Sequence, residues 1–198
     1  MFPVRRGTDG YSFLELIFVL GLIASVVATA TLQLMLTVDD VRAAAAARFV
    51  AAKLQETRMN AIARSADVGL EFVSTPKGYT YAAYMDGNRN GVRTADIRGG
   101  VDGSLTTAER LADRFSGVDF GVLPGLPSVD PGSSPPGSDP VKLGTSNILT
   151  FTPFGTSSAG SLYVRGRRDL QYVIRIFSET GKTRVLRFDS RARQWRPL

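Results

Sequence analysis

The chain has 198 residues, a formal net charge of +6 at pH 7, and neither cysteine nor histidine. This composition excludes disulfides, Cys/His metal sites and every nucleophile–histidine dyad or triad. The length supports one domain of ordinary size plus an appendage.

The first element is a long apolar segment that follows a short basic leader. Residues 16–36 carry no charge, and a helix of that length spans a hydrocarbon core of about 30 Å. Arg5 and Arg6 in the leader would stay in the cytoplasm by the positive-inside rule. A secretory signal peptide cut after Ala30 and a plain membrane anchor are alternatives. Both leave Glu15 unexplained, although ionisable groups in membrane segments are costly and are functional by default.

A glycine and an acid frame the start of this segment, in the sequence GYSFLE at residues 10–15. This motif ahead of a long apolar helix resembles the class III signal of type IV pilins and type II secretion pseudopilins. The resemblance implies that a prepilin peptidase cuts after Gly10 and methylates the new N-terminal Tyr11, which stands where the family usually has Phe. It also implies that Glu15 guides assembly by pairing with the N-terminal amine of a neighbouring subunit. Such pairing offsets a charge that is costly to leave alone in a low-dielectric filament core.

The helix is predicted to continue well beyond the apolar segment. Neither glycine nor proline occurs between Gly21 and Gly69, which predicts an unbroken helix to about Ser65. Apolar residues then recur at three- and four-residue steps, at Val38, Val41, Ala45, Phe49, Ala52, Met59 and Ile62. This stripe is predicted to pack on a sheet.

Past Asp67 the hydrophobic period changes from that of a helix to that of a strand. The runs at 68–73 and 79–85 flank the turn TPKG and predict a hairpin. Four more short β-rich runs are predicted at 148–155, 161–166, 171–177 and 183–188. The predicted fold class is therefore α+β, with one long N-terminal helix packed on an antiparallel β-sheet of about six strands.

This order of elements, which ends in a basic hairpin, is similar to that of the FimT/GspH subgroup of minor pilins and pseudopilins, and it implies a pilin-like fold. The predicted organisation is a prepilin leader peptide at 1–10, a transmembrane part of the helix at 11–36, an amphipathic part at 37–66, and a β-rich globular domain at 67–198. Residues 121–147 hold six prolines and five glycines, and are predicted to form a mobile loop.

The sequence DGNRNGVRTADI, residues 86–97, begins like a calcium-binding loop. Its first, third and fifth residues are Asp or Asn, and the sixth is Gly91. The twelfth position, where a calcium loop needs an acid, is Ile97, and two arginines lie inside the loop. An Asx- and glycine-rich turn is the favoured interpretation. Calcium is the alternative, with candidate ligands Asp86, Asn88, Asn90 and Asp96.

The C-terminal sixth of the chain carries the positive charge. Residues 165–198 hold ten Lys/Arg and three acids, a net charge of +7, which leaves −1 for residues 1–164. The resemblance to FimT-type competence pilins implies DNA binding here, driven by phosphate contacts and sensitive to salt. The candidate residues are Arg165, Arg167, Arg168, Lys182, Arg184, Arg187, Arg191 and Arg193, with Tyr163, Tyr172 and Trp195 as aromatics that could stack on bases. The alternative is a solvated surface or a face that meets an acidic neighbour in the filament.

The resemblance thus implies a minor pilin or pseudopilin that is not an enzyme and needs no cofactor. Its expected location is the inner membrane, with one membrane pass and a periplasmic C-terminal domain, before it joins a pilus or pseudopilus. The expected partners are other pilin or pseudopilin subunits, the prepilin peptidase, the inner membrane and, as an alternative, DNA. A membrane-anchored extracytoplasmic enzyme is a further alternative, which no constellation of residues favours.

Overall fold

The computed structural model describes residue 10 and residues 12–198, apart from the side chains of residues 32, 35 and 36. The chain divides into two compact units, Met1–Val38 and Asp39–Leu198. Helix α1, Phe13–Arg64, includes residues of both units, and the predicted long N-terminal helix is confirmed. Its segment Phe13–Thr31 has a mean hydropathy of 2.4 and none of it is buried, so by length and composition it could cross a membrane.

Local backbone geometry ends α1 without a glycine. Ser65 takes a left-handed conformation with φ 51°. Its N–H donates to the Ile62 carbonyl at 3.3 Å, and the next N–H, of Ala66, reaches back to the Ala61 carbonyl at 3.3 Å. These bonds satisfy carbonyls that would otherwise be unpaired at the helix end. These two residues end the helix, and the first strand begins at Val68.

The second unit continues with short strands and two short helices. The strands are β1 (Val68–Thr75), β2 (Gly78–Met85), β3 (Gly103–Ser104), β4 (Glu109–Arg110), β5 (Asp119–Phe120), β6 (Val141–Lys142), β7 (Ile148–Phe151), β8 (Gly160–Arg165), β9 (Gln171–Ile176), β10 (Thr183–Asp189) and β11 (Gln194–Pro197). The helices are α2 (Thr94–Arg98) and α3 (Leu111–Arg114). The α+β class is confirmed.

The strands form two antiparallel sheets, so the prediction of a single sheet was wrong. The first sheet has the order β3-β2-β1-β7 with β4 also on β2, and the second has the order β11-β10-β9-β8-β5 with β6 also on β8. The predicted hairpin is β1–β2. β7 joins the first sheet through Leu70↔Leu149, whereas the following strand β8 pairs with β9. Alternation identifies the buried face of a strand but not its neighbours, and so could not separate the sheets.

The face of α1 that packs on the sheets also differs from the predicted stripe. The buried positions are Ala43, Ala46, Ala47, Val50, Leu54, Thr57 and Ala61. Val41 and Met59 of the predicted stripe are instead 63% and 59% exposed. At 100° per residue, the buried face points roughly 170° away from the predicted stripe, on nearly the opposite side of the helix. Alanines let the helix backbone approach the strands closely, and this close packing outweighs the larger but isolated apolar side chains.

The proline-rich segment 121–147 lies against the second sheet. On one face of this sheet, Tyr163, Val173 and Leu186 pack with Val122 and Val129 of the segment. The Trp195 indole N–H donates to the Pro127 carbonyl at 3.1 Å, and Arg175 Nε lies 2.7 Å from Asp130 Oδ2. The segment therefore has defined contacts although it lacks long regular elements. Its mobility stays a prediction.

Candidate functional site

The motif expected to direct processing lies at the start of α1. Gly10 is exposed, and among the residues that the structure describes no atom lies within 4 Å of the position that a Cβ would occupy. Packing against the described residues therefore gives no reason for a glycine there. Glu15 lies in the first helical turn and is exposed. The positive end of the helix dipole favours a carboxylate at that position. Tyr11 lies outside the described residues.

The helical segment that follows is an uncovered apolar surface. Phe13 and Leu14 are each 77% exposed, and Phe18 is 71% exposed. Its few polar side chains are satisfied internally: the Ser25 hydroxyl donates to the Leu22 carbonyl at 2.7 Å, and Thr29 makes similar bonds within the helix. An exposed apolar surface of this length marks a site of interaction with lipid or with another protein.

Asp39, at the start of the second unit, faces three arginines. Arg168 Nε lies 3.7 Å from Asp39 Oδ2, Arg42 Nη1 lies 3.9 Å from Oδ1, and Arg167 Nη1 lies 4.0 Å from Oδ1. The Asp39 side chain is 11% exposed, while the arginine side chains are 33–56% exposed. The turn between β8 and β9 is thereby held against α1 by charge.

Asp40 holds a fourth arginine from β10. Arg187 Nη2 lies 3.1 Å from Asp40 Oδ1 and 3.3 Å from Oδ2. Arg187 pairs in register with Tyr172 of β9, which is fully buried. Burial raises the pKa of the Tyr172 hydroxyl, although the nearby Arg187 charge acts in the opposite direction. Among the described residues, this hydroxyl has no hydrogen-bond partner.

Three of the eight candidate DNA-binding residues line one cleft. Arg168, Arg187 and Arg191 border a space of about 770 Å³ together with Arg196. Arg196 Nη2 lies 3.1 Å from Asp189 Oδ2. The pKa of Asp189 is held below its ordinary range, first by the Ala192 amide and then by the Arg191 amide and the neighbouring arginines, against the effect of burial.

The other five candidates are in different places, so the eight do not form one stripe. They are Arg165, Arg167, Lys182, Arg184 and Arg193. Arg165 and Arg167 border a second concavity of about 390 Å³. Lys182 and Arg184 lie at the turn end of the β9–β10 hairpin. Arg193 donates to the Gly125 carbonyl at 2.9 Å.

The aromatics expected to stack on bases are largely committed to the core. Tyr172 is fully buried and Tyr163 is 3% exposed. Trp195 packs against Tyr163 and Phe188, with ring centroids 6.2 and 5.3 Å apart. Base stacking needs an open ring face, so the two tyrosines are not available for it.

The loop that resembles a calcium site forms a hydrogen-bonded turn. Asp86 Oδ1 accepts the N–H groups of Asn88 and Arg89 at 3.0 and 2.8 Å, and Oδ2 accepts that of Gly91 at 2.7 Å. Burial raises the pKa of Asp86, but these amides outweigh it and hold the pKa below its ordinary value of 3.8. Such bonds characterise the Asx turn that the sequence favoured.

The candidate calcium ligands bond to groups of their own loop. The Asn88 side-chain oxygen accepts the Asn90 N–H at 3.2 Å, and its side-chain nitrogen donates to Asp96 Oδ2 at 3.5 Å. Across the described residues, no three acidic groups lie together in a way that could hold a metal ion. The oxygens that calcium would need accept the chain's own N–H groups in this structure, and calcium binding at this loop stays a prediction.

Asp86→Asn is expected to lower the free energy of unfolding by about 1–3 kcal/mol, because the new amide nitrogen would leave a backbone N–H unpaired. A folded-state pKa below 3.8 means that folding favours the ionised form. The contribution is then complete above pH 3.8 and is lost as the pH falls through the folded-state pKa. Urea midpoints of the native chain and the variant should converge in that range. Asp96→Asn, the control, should change stability by less than about 0.5 kcal/mol.

Sequence reasoning missed Asp39, Asp40 and the buried Gln171. The two acids had a visible signal, since they directly follow the long uncharged run. Gln171 had none, because it follows a polar turn and looks like an exposed strand end. It is fully buried, which only the packed structure reveals.

No protein-family model, no curated protein and no solved structure matches this chain.

Proposed function

We propose that the chain is a minor pilin or pseudopilin of the FimT/GspH type. It is cut between Gly10 and Tyr11 and assembles into a type IV pilus or a type II secretion pseudopilus. The observation that carries the proposal is the N-terminal helix, which is apolar and uncovered over Phe13–Thr31 yet has a carboxylate in its first turn. The helix dipole favours an acid in the first turn by at most about 2 kcal/mol, whereas an ionisable group at the mouth of a membrane segment is functional by default.

Gly10 supports processing by an external enzyme. The described residues around Gly10 leave room for a side chain. A requirement for glycine would then come from the active site of a peptidase that binds the backbone at Gly10 closely. Glycine permits such close approach to a backbone, because it has no Cβ.

Assembly is the mechanism that the apolar helix supports. In the inner membrane, lipid covers the exposed side chains, and the second unit lies in the periplasm. In a filament, helices of neighbouring subunits replace the lipid. Glu15 then pairs with the new N-terminal amine of a neighbour, which sets the register of the incoming subunit, since either charge alone is costly inside the filament. The protein is a structural subunit in this proposal and performs no catalysis.

DNA binding through the basic C-terminal region is the weaker alternative. Arg187 has a close acidic partner in Asp40, with Nη2 3.1 Å from Oδ1. The remaining candidates are dispersed, and the tyrosines that would stack on bases are buried. A track of phosphates needs a continuous line of free cations.

Gly10→Val is expected to abolish N-terminal processing, because a branched side chain blocks close binding at the scissile bond. The intact mass of the chain made together with a prepilin peptidase gives the N-terminal residue. The native chain should begin at N-methylated Tyr11, and the variant should keep residues 1–10. Gly21→Val is the matched control, since the described residues around Gly21 also leave room for a side chain, and it should be cut normally. A native chain cut after Ala30, or not cut, would contradict the proposal.

A further inference from the structure

Arginine donors exceed carboxylate acceptors around Asp39. Three guanidinium groups share this one carboxylate at 3.7–4.0 Å. Charge-assisted hydrogen bonds between arginine and a carboxylate are typically about 2.7–2.9 Å, so the three contacts are long-range ion pairs rather than tight bonds. The side chains of Arg167 and Arg168 are 56% and 45% exposed. Their N–H donors are therefore open to an anion from outside the chain.

Chain connectivity places this arginine patch, Arg42, Arg167 and Arg168 around Asp39, close to the end of the apolar run. Asp39 lies three residues after Leu36, the last residue of the predicted transmembrane part. Three residues span at most about 10 Å in any conformation. The headgroup layer on each side of a bilayer core is on the order of 5–8 Å thick. If the apolar run spans the membrane, the arginine patch must lie at or beside the headgroups.

We propose that the arginine patch binds the phosphate of anionic phospholipid headgroups where the chain leaves the membrane. The inference rests on the membrane location in the proposed function. The guanidinium fork matches phosphate oxygens in a bidentate geometry. Arg168 also lines the neighbouring cleft of about 770 Å³, in which Leu170 and Phe188 are apolar wall residues. A cleft with both cations and apolar groups suits a headgroup and the glycerol region next to it.

Position favours lipid over DNA as the source of the phosphate. A lipid headgroup is a single phosphate at fixed depth, and it needs only a local cluster. DNA presents a row of phosphates and needs cations along a track. Lys182 lies away from the patch, because the Gln55 side chain of α1 donates to the Gly181 carbonyl and the Thr183 hydroxyl on either side of it. Gln55 lies about 24 Å of helix beyond Asp39.

The experiment uses the full chain in nanodiscs of phosphatidylcholine mixed with an equal amount of phosphatidylglycerol. After the chain is released from the nanodiscs, native mass spectrometry counts the phosphatidylcholine and phosphatidylglycerol molecules that stay bound to it. The native chain should retain phosphatidylglycerol preferentially. The double variant Arg167→Gln/Arg168→Gln should lower that preference on the order of tenfold or more, since each basic residue near an anionic surface contributes a several-fold effect. The matched control Lys182→Gln/Arg184→Gln removes the same charge and should keep the preference.

A third variant gives a gain that misfolding cannot imitate. Asp39→Asn removes the carboxylate that competes for the arginines, and should raise the preference for phosphatidylglycerol. Equal losses in both double variants, or no change in Asp39→Asn, would overturn the proposal. Retention of inorganic phosphate alone, with no lipid preference, would also overturn it. So would binding of a short DNA duplex that depends on Arg167 and Arg168 while lipid binding does not.

Failure of this inference is distinguishable from failure of the proposed function. Alkaline carbonate extraction of the membranes tests whether the chain is integrally inserted. A chain that is extracted has no membrane-spanning helix, and both proposals fall. A chain that resists extraction but shows no preference for phosphatidylglycerol leaves the pilin proposal intact and overturns the lipid site alone.

Discussion

Glu15→Gln is expected to abolish incorporation into filaments while processing at Gly10 and membrane insertion continue. The amide keeps the shape of the side chain but cannot neutralise the amine of a neighbouring subunit. Removing one partner of a buried ion pair costs about 3–5 kcal/mol. A loss of 3 kcal/mol is roughly a hundredfold in an equilibrium constant, since 1.36 kcal/mol is a factor of ten. Insertion should be unimpaired, because a neutral side chain crosses lipid more readily than a carboxylate.

Immunoblotting measures the amount of the chain in filaments sheared from the cells, relative to the amount that remains in the membranes. Ser25→Ala and Thr29→Ala are the matched controls, because both hydroxyls donate to carbonyls of their own helix and need no partner from another subunit. Both controls should assemble normally. Assembly of Glu15→Gln at the native level would remove the role proposed for the acid.

Gln171→Leu is expected to cause the largest loss of stability of any single change considered for the second unit, about 3 kcal/mol or more. Gln171 Oε1 accepts the Leu123 N–H at 2.9 Å, and Nε2 donates to the carbonyls of Gly121 and Val164, both at 3.0 Å. Leucine has similar volume but removes the side-chain partner of the Leu123 N–H and of the Gly121 carbonyl, while Val164 also pairs with Tyr172 in the β8–β9 ladder. Each unsatisfied buried group costs about 1–3 kcal/mol. The change would also remove one of the attachments of the proline-rich segment to the second sheet.

Urea unfolding of the full chain in detergent, followed by the fluorescence of the single tryptophan, measures this loss. Trp195 is a suitable probe, because its indole donates to the Pro127 carbonyl of the same segment. Gln194→Leu makes the same chemical change at an exposed position of β11 and should shift stability by less than about 0.5 kcal/mol. Similar midpoints for the two variants would show that Gln171 does not anchor the segment.

Local pattern was sufficient for several elements. The absence of glycine and proline from residues 22–68 predicted the extent of α1 to within one residue of its observed end at Arg64. The runs around TPKG predicted the β1–β2 hairpin, because alternation and turn chemistry act over a few neighbouring residues. The Asx turn at Asp86 was favoured for the same reason, and its hydrogen bonds join residues at most five apart.

Charge pairing was beyond the reach of the sequence. Arg187 and Asp40 are separated by 147 positions, yet Arg187 Nη2 lies 3.1 Å from the carboxylate. The tail looked like a free basic surface with a net charge of +7. In the folded chain, some of these arginines form ion pairs with acids at the start of the second unit. An assignment of the tail to nucleic acid from its composition alone therefore counted cations that already have partners.

The sequence by itself determined the apolar N-terminal helix, the acid at its first turn, the α+β class and most strand positions. Each depends on composition or on periodicity within a few residues, and such local signals can be identified from the sequence without knowing the tertiary structure. Only the tertiary structure decided that there are two sheets, that alanines rather than the larger apolar residues form the buried face of α1, and which arginines remain open around Asp39. Those features depend on which distant segments come together. That outcome reflects the packing of the whole chain, where volume, hydrogen bonds and charge must be satisfied at the same time.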